Sequence, residues 1–447
     1  MKSSTPAPGI PVADFGLATG FFLRSAVRVG AVMLWIGLAG AGCVSAEMRT
    51  GEVSPVASAG EVEPAAVDWT RNPLDMIDAR FAFAPADVGA AVVGQGVVVG
   101  NAGDMAGAAA WRLDASAWSS YPATGHWRSG RVTVDGGFTE LLPSWNVSAP
   151  AGTGLVLQVR VWGAGEGEGE GASEGDASNT KPSPWLEIGK WGQPSGGDTA
   201  SRFDGGKVAI DVLELERRAA AFELRVRFES RDLAGRASPA VRGVVAVASR
   251  EDAERAEATR VPAAQASGEG ERIDLDVPFM AQGDAMDAVA SRICSPTATG
   301  MVMAYRGVAL PLEAHAQGIY DADHGIFGNW GRAVAWASQH GLSGELARLR
   351  SWDEVRRVLE AGQPIIASIR FRDGEFPSSV FENGTSGHLI VIRGMTERGD
   401  AIVNDSASRD HGHGAIYQRD ELAQAWLGKG GVAYLISPMD TQHAASP

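Results

Sequence analysis

The sequence predicts two folded domains of different class: an antiparallel β-sandwich over residues 68–250 and an α+β domain over residues 273–440. Three observations carry this reading. The chain has 447 residues, more than one ordinary domain uses. Between Asp68 and Arg250 apolar residues recur mostly with a period of two, whereas after residue 272 helical and strand patterns alternate. Residues 251–272, rich in Ala, Glu, Arg, Gln and Gly, lack an apolar stripe and read as a linker. A fragment starting near residue 270 is therefore expected to fold alone, and residues 441–447 read as a tail.

The N-terminus reads as an address. Arg24 and Arg28 precede an uncharged, mostly apolar run from Val29 to Gly42, the pattern of an export signal over residues 1–46. That run is short for a bilayer span. Two processing sites compete. Val44-Ser45-Ala46 suits cleavage before Glu47, while Leu38 to Cys43 resembles a lipobox that would leave Cys43 lipidated and the protein membrane-anchored. Either route exports the chain, secreted or as a lipoprotein, to face the periplasm or cell exterior. Residues 47–67, rich in Ala, Val, Glu and Ser, read as a disordered tether.

In the first domain, Leu155, Leu157, Val159 and Val161 alternate along one strand. Phe222, Leu224, Val226 and Phe228 alternate with Glu223, Arg225, Arg227 and Glu229, which predicts a strand with one face in water. Val208, Ile210 and Val212 suggest another strand, and Val241 to Val247 a fourth. Gly/Pro/Asp turns between strands, with no helical pattern intervening, point to the sandwich. Residues 163–175 alternate Gly and Glu and read as a solvated loop. Seven of the thirteen tryptophans fall between Trp111 and Trp191. Trp145, Trp185 and Trp191 are expected in the core, although aromatic platforms also bind glycans or peptides.

In the second domain, Ser351-Trp-Asp-Glu354 has the form of a capping box, opening a helix that Gly362 and Pro364 close. Ile365–Ile369, Leu389–Val391 and Ala401–Val403 are continuous apolar strands. Ala298, Met301, Val302 and Tyr305 put one apolar stripe on a helix that Gly307 stops, with Ser295 expected as its N-cap and Pro296 at its first position.

Net charge of −15 and a pI near 5.1, without a basic run, argue against nucleic acid as partner. Hydrophobic and charged shares of 45% and 21% are ordinarily globular. The chain has two cysteines, Cys43 and Cys294. With Cys43 in the export segment, Cys294 is the sole thiol of the folded domains. Cys294 stands where its helix begins, and there the helix dipole and free N–H groups favour a thiolate. Of eight histidines, His388 follows Gly387 and opens the strand Leu389–Ile392. Asp405 ends the neighbouring strand, across the turn at residues 397–400. Adjacent strands would set His388 and Asp405 side by side, with the carboxylate fixing the ring while its other nitrogen faces the thiol. His411 and His413 lack a further ligand cluster and read as a polar loop, so neither a metal nor another cofactor is expected.

These motifs, Val277-Pro-Phe-Met-Ala-Gln282, Cys294-Ser-Pro-Thr-Ala-Thr-Gly-Met, Gly387-His388-Leu-Ile-Val-Ile-Arg-Gly394 and Val403-Asn-Asp405, together resemble the C39-like peptidases, which are papain-like cysteine peptidases related to those that process double-glycine leaders of bacteriocins. The resemblance implies Cys294 as nucleophile, His388 as general base and then acid, Asp405 as the orienting carboxylate and Gln282 as an oxyanion-hole donor beside the Cys294 N–H. It implies a peptide or protein substrate. Three departures stand out. Gln282 lies twelve residues before the cysteine, a longer gap than in exporter-linked enzymes; Cys-Gly-Pro is here Cys-Ser-Pro; and Asp-Pro is here Asp405-Ser406. The segments at 138–146 and 183–192 look like the β domain that precedes some exported cysteine peptidases. An exported binding protein with a degenerate hydrolase domain, or a transglutaminase-type acyl-transfer enzyme, would share much of this pattern.

Overall fold

The computed structural model describes residues 78–83, 91–92, 97–102, 109–163, 181–195, 200–250, 270–381 and 384–439. The segments read above as export signal, tether and tail, nearly all of the Gly/Glu insertion and the expected linker up to residue 269 lie outside these residues.

The first domain is β throughout. Its strands are β1 (Asp78–Phe83), β2 (Ala91–Val92), β3 (Val97–Ala102), β4 (Ala109–Leu113), β5 (Ala123–Arg128) and β6 (Val132–Ser148), followed by β7 (Thr153–Trp162), β8 (Leu186–Gly192), β9 (Arg202–Phe203), β10 (Gly206–Ala209), β11 (Val212–Ser230) and β12 (Ala240–Ser249). They form one sheet whose strand pairs are antiparallel. The sheet doubles over because β6 and β11 are long and change partners along their length. The start of β6 pairs with β11, and its end pairs with β12 from Glu140 to Ser148. The start of β11 pairs with β10 and β6, and its end, beyond Ala221, with β7 and β5. A register shift between Glu214 and Ala219 marks the change on β11. Side chains then meet across two layers: Trp111 on β4 stacks on Trp127 on β5 at 4.4 Å, and Phe81 on β1 meets Phe222 on β11 at 5.2 Å. The expected antiparallel domain is present, with its layers continuous through two strands.

Three local expectations need correction. On β11 the Phe222–Phe228 face is buried as expected, but Glu223 and Glu229 on the other face are buried too. Glu223 is paired with Arg128 and Arg160 from the flanking strands, and Glu229 accepts from the Ser195 N–H at 2.9 Å. Cross-strand ion pairs thus close over the face expected in water. Residues 208–212 are not one strand: Ile210, at φ +64°, turns the chain between β10 and β11. Trp145 and Trp191 are buried, whereas Trp185 is half-buried with the Arg225 guanidinium 4.2 Å over its ring.

The second domain is α+β. Its strands are β13 (Ile273–Asp274), β14 (Leu342–Arg348), β15 (Ile365–Phe371), β16 (Thr385–Met395), β17 (Ala401–Asn404), β18 (Ala415–Tyr417) and β19 (Val432–Pro438), in the order β14-β19-β15-β16-β17-β18 with β13 beside β16. Its helices are α1 (Asp287–Ala290), α2 (Cys294–Tyr305), α3 (Leu312–Ile319), α4 (Trp330–Gln339), α5 (Trp352–Glu360) and α6 (Arg419–Ala425). The sheet is covered on both faces, which explains why β16 is continuously apolar. Leu389 and Val391 pack with Ala298, Met301 and Val302 of α2, while Ile390 and Ile392 pack with Val355 of α5 and Leu422 of α6. Ser351 caps the helix as expected, its Oγ accepting from the Glu354 N–H at 3.2 Å, and the Glu354 carboxylate reaches back past the cap to the Arg350 N–H at 2.6 Å. Gly362, at φ +72°, ends the helix in a Schellman turn, with the Gln363 N–H donating to Val358 O.

The two domains share a core. Leu142 and Val247 of the β domain pack in one cluster with Val334 and Leu346 of the α+β domain. Trp145 lies so close against Gly331 of α4 and Gly189 of β8 that a Cβ at either glycine would come within 2.8 Å or 2.2 Å of its ring. Polar groups pair across the same seam. Asn146 exchanges two hydrogen bonds with the Gly344 backbone, at 2.8 and 2.9 Å, and Ser144 Oγ accepts from the Leu346 N–H at 3.0 Å. A fragment starting near residue 270 would leave this surface in water, so the structure argues against the self-sufficiency expected from composition.

Candidate active site

Helix α2 begins at Cys294, with Ile293 as its N-cap. Ser295 is therefore not the cap: it lies inside the first turn, buried, with its Oγ 3.2 Å from the Tyr434 hydroxyl. Thr297 ties the first turn instead, its N–H and Oγ1 both donating to Ile293 O, at 2.9 and 2.7 Å. Gly307, at φ +84°, ends the helix as expected, with the Val308 N–H donating to Met303 O at 2.8 Å. This fixes Cys294 at the end of the helix where N–H groups are free and the dipole is positive.

His388 lies on β16, paired across the sheet with Ile369 of β15. The chain turns at residues 396–400, where the Thr396 N–H donates to Asp400 O, and returns as β17, so Asp405 arrives next to His388. His388 Nε2 and Asp405 Oδ1 are 2.7 Å apart. That contact occupies one ring nitrogen and leaves Nδ1 for the thiol. The His388 ring and the backbone N–H groups of Leu389 and Ser295 all favour the anionic form of the Cys294 sulfur. The Phe381 ring packs edge-on against the imidazole at 4.6 Å, and His388 is buried.

Charge follows from these contacts. Burial pulls His388 toward neutrality, but the Asp405 carboxylate, with the Cys294 sulfur behind it, outweighs burial and holds the ring up to about 10. Burial pushes the Cys294 thiol up, yet the His388 ring brings it below its ordinary value. Asp405 is likewise opposed by burial and held low by His388, with help from Tyr417. The electrostatics thus favour a thiolate–imidazolium pair on a carboxylate.

Tyr417 escaped the sequence reading. Its hydroxyl donates to Asp405 Oδ2 at 2.6 Å and accepts from the Val380 N–H at 3.1 Å, so both carboxylate oxygens are held. The Ala407 N–H adds a third bond to Oδ1 at 2.9 Å. Gly412 closes the loop after β17: its carbonyl accepts from the Asp405 N–H, and a Cβ there would lie 1.9 Å from Asp405 O. The sequence offers only a short apolar strand around Tyr417, and no chemical signal separates it from a core tyrosine.

Gln282 is anchored next to this group. Its N–H donates to Ser406 O and its side-chain oxygen accepts from Ser406 Oγ, both at 2.9 Å. Ser406 thus has a bonding role. The described contacts bring Gln282 to the residue after Asp405 rather than to Cys294 itself, and its amide N–H2 remains to be offered. Cys294 opens into a cleft of about 380 Å³ walled by Trp330, Phe327, Gly387 and Leu389. A Cβ on Gly387 would meet nothing within 4 Å, so the strand backbone borders open cleft there. Trp330 is the first residue of α4, whose N-terminus is held by the β domain: Asp211 Oδ2 accepts from the Trp330 and Gly331 N–H groups at 2.6 and 3.2 Å. His413 stacks on Phe279 at 5.4 Å, and no group of three metal-ligating side chains occurs among the described residues.

Two family models match the chain. Residues 274–434 match the peptidase C39-like family, and residues 88–249 match the peptidase C39 N-terminal domain. The C-terminal domain belongs to the C39-like peptidase family. Three solved structures are similar to part of this chain. One is described as a C39-like peptidase from Bacillus anthracis, at 18% identity and a TM-score of 0.30, covering 38% of this chain and 100% of that one. Another is a double glycine motif protease from an AMS/PCAT transporter in complex with the leader peptide, at 18% identity and a TM-score of 0.25, with the same coverage. The third is the peptidase domain of Streptococcus ComA, a bi-functional ABC transporter of a quorum sensing pathway, at 13% identity and a TM-score of 0.26, covering 36% of this chain and 98% of that one. Among curated proteins, none matches.

Proposed function

We propose that the protein is an exported cysteine peptidase that hydrolyses peptide bonds with Cys294, His388 and Asp405. The observation that carries the reading is the His388 ring held by Asp405 and acting electrostatically on Cys294, which begins a helix and lines a cleft. In this reading the Cys294 thiolate attacks the scissile carbonyl carbon. Negative charge moves to the carbonyl oxygen, which the Cys294 N–H and the Gln282 amide receive. The His388 imidazolium gives its Nδ1 proton to the leaving amine, and the C–N bond breaks to leave a thioester. Water, deprotonated by His388, then releases the acid and regenerates the pair. Asp405, held by Tyr417, keeps the ring in place through both steps.

Export rests on the charged and apolar pattern of residues 24–46, with Cys43 or Glu47 as the mature start. An extracytoplasmic site suits a chain whose folded domains carry a single thiol. Peptide-library cleavage, run beside Cys294→Ala, tests the activity. Defined cleavage products that vanish in Cys294→Ala support the reading. Products that persist in it, or transfer to added amines exceeding hydrolysis, count against it.

A further inference from the structure

Among the described residues, the ionisable side chains on the wall of the Cys294 cleft, apart from the thiol, are Arg292, Arg370 and Lys429. They come from three separate places: the turn before α2, the strand β15 and the turn after α6. All three are exposed, and none has a carboxylate partner among the described residues. Arg292 is oriented by a hydrogen bond to Gly325 O at 2.5 Å and by the Phe327 ring beneath its guanidinium at 5.3 Å. Among the described residues, no carboxylate lies on the same wall. The chain as a whole carries −15, so three uncompensated cations at its cleft run against its general charge.

We propose that this cationic wall selects acidic peptides, with a carboxylate close to the bond that is cut. The inference rests on the peptidase reading and names the substrate class. Cations converging on a concave, partly apolar site raise the local concentration of an anionic ligand and fix its orientation. A carboxylate could come from an internal Asp or Glu side chain or from a free C-terminus, and the same wall would receive either. Exposed charge pairs contribute modestly one by one. Three acting together give an expected preference on the order of tenfold, which salt screens away.

The test uses the folded full chain and two thiol reagents that differ in charge. Iodoacetate carries a carboxylate and iodoacetamide does not, so the ratio of their alkylation rates at Cys294 reports the cleft's charge while the neutral reagent serves as reference. The ratio should fall about tenfold in the triple variant Arg292→Gln, Arg370→Gln, Lys429→Gln, and should fall similarly in the unaltered chain at high salt. Peptides with an internal Glu and an amidated end, their Gln counterparts, and Gln peptides with a free C-terminus are then compared as protectants of Cys294. Better protection by the internal Glu set or by the free C-terminus set supports the proposal and identifies which source is read. Equal protection by all three, or an unchanged reagent ratio in the triple variant, overturns it while the peptidase reading stands. If neither reagent reaches Cys294 in the folded chain, both readings fall.

Discussion

Two buried aspartates, one in each domain, face opposite charge environments. Asp405 and Asp211 are both almost fully withdrawn from water, and both accept hydrogen bonds from backbone N–H groups. Asp405 has an imidazolium 2.7 Å away and a tyrosine hydroxyl on its other oxygen, and its carboxyl is held low. Asp211 has the first turn of α4 and, among the described residues, no cation against it; burial dominates, the N–H groups recover part of the cost, the Asp321 charge adds to the rise, and its carboxyl reaches about 6. Dipoles alone do not offset burial of a charge, whereas a full opposite charge in contact does. Asp405 is accordingly fit to serve as a fixed anion, and Asp211 is fit to hold a helix whose first residue walls the cleft.

The contrast predicts opposite responses to pH. His388 has its folded pKa raised, so its contribution is complete below about 6.5 and is lost as pH climbs through about 10. Asp405 has its folded pKa lowered, so its contribution is present above 3.8 and is lost as acid takes the pH through its depressed value. Asp211 runs the other way: its native form binds the proton more tightly than the unfolded chain does, so stability declines as pH rises from 3.8 through about 6.

Removing the charge on Asp405 should have the larger effect. Asp405→Asn keeps the shape but ends the contact that holds the His388 proton, and turnover of a cleaved peptide should fall roughly 1,000-fold or more. Thiol alkylation should fall much less, because access to Cys294 is untouched. Equal loss of both would mean that Asp405 supports the fold rather than the ring. The effect of Asp211→Asn should be smaller and appear in stability. A pKa difference of about 2 corresponds to about 3 kcal/mol at most, so denaturation of this variant between pH 4 and 6 should lack most of the decline seen in the parent. Parallel pH curves for the two proteins would show that the carboxylate at α4 is not held at a cost.

How much of this could be read from sequence depended on the distance over which a feature is determined. The capping box at Ser351, the stop at Gly307 and the strands around His388 and Asp405 are set by neighbours a few residues apart, and all were legible. The contact between His388 and Asp405 was legible because β16 and β17 are joined by a short turn that forces the two together. Tyr417 was not, because its role follows from where a loop returns. The shared core was hidden for the same reason: Trp145 and Gly331 are far apart in the chain, and neither segment signals the other. Ser295 misled because its residue type suits a cap, yet its hydroxyl is engaged by Tyr434 across the domain.

The central claim is that Cys294 is held as a thiolate by His388 in the folded protein. Its most direct test is the rate of Cys294 alkylation by iodoacetamide near pH 7, in the folded chain and in His388→Ala. The rate should lie well above that of a free thiol of pKa about 8.5, and should drop clearly in His388→Ala as the counter-charge is removed. Alkylation that occurs only after unfolding, or at the same rate with and without His388, would contradict it.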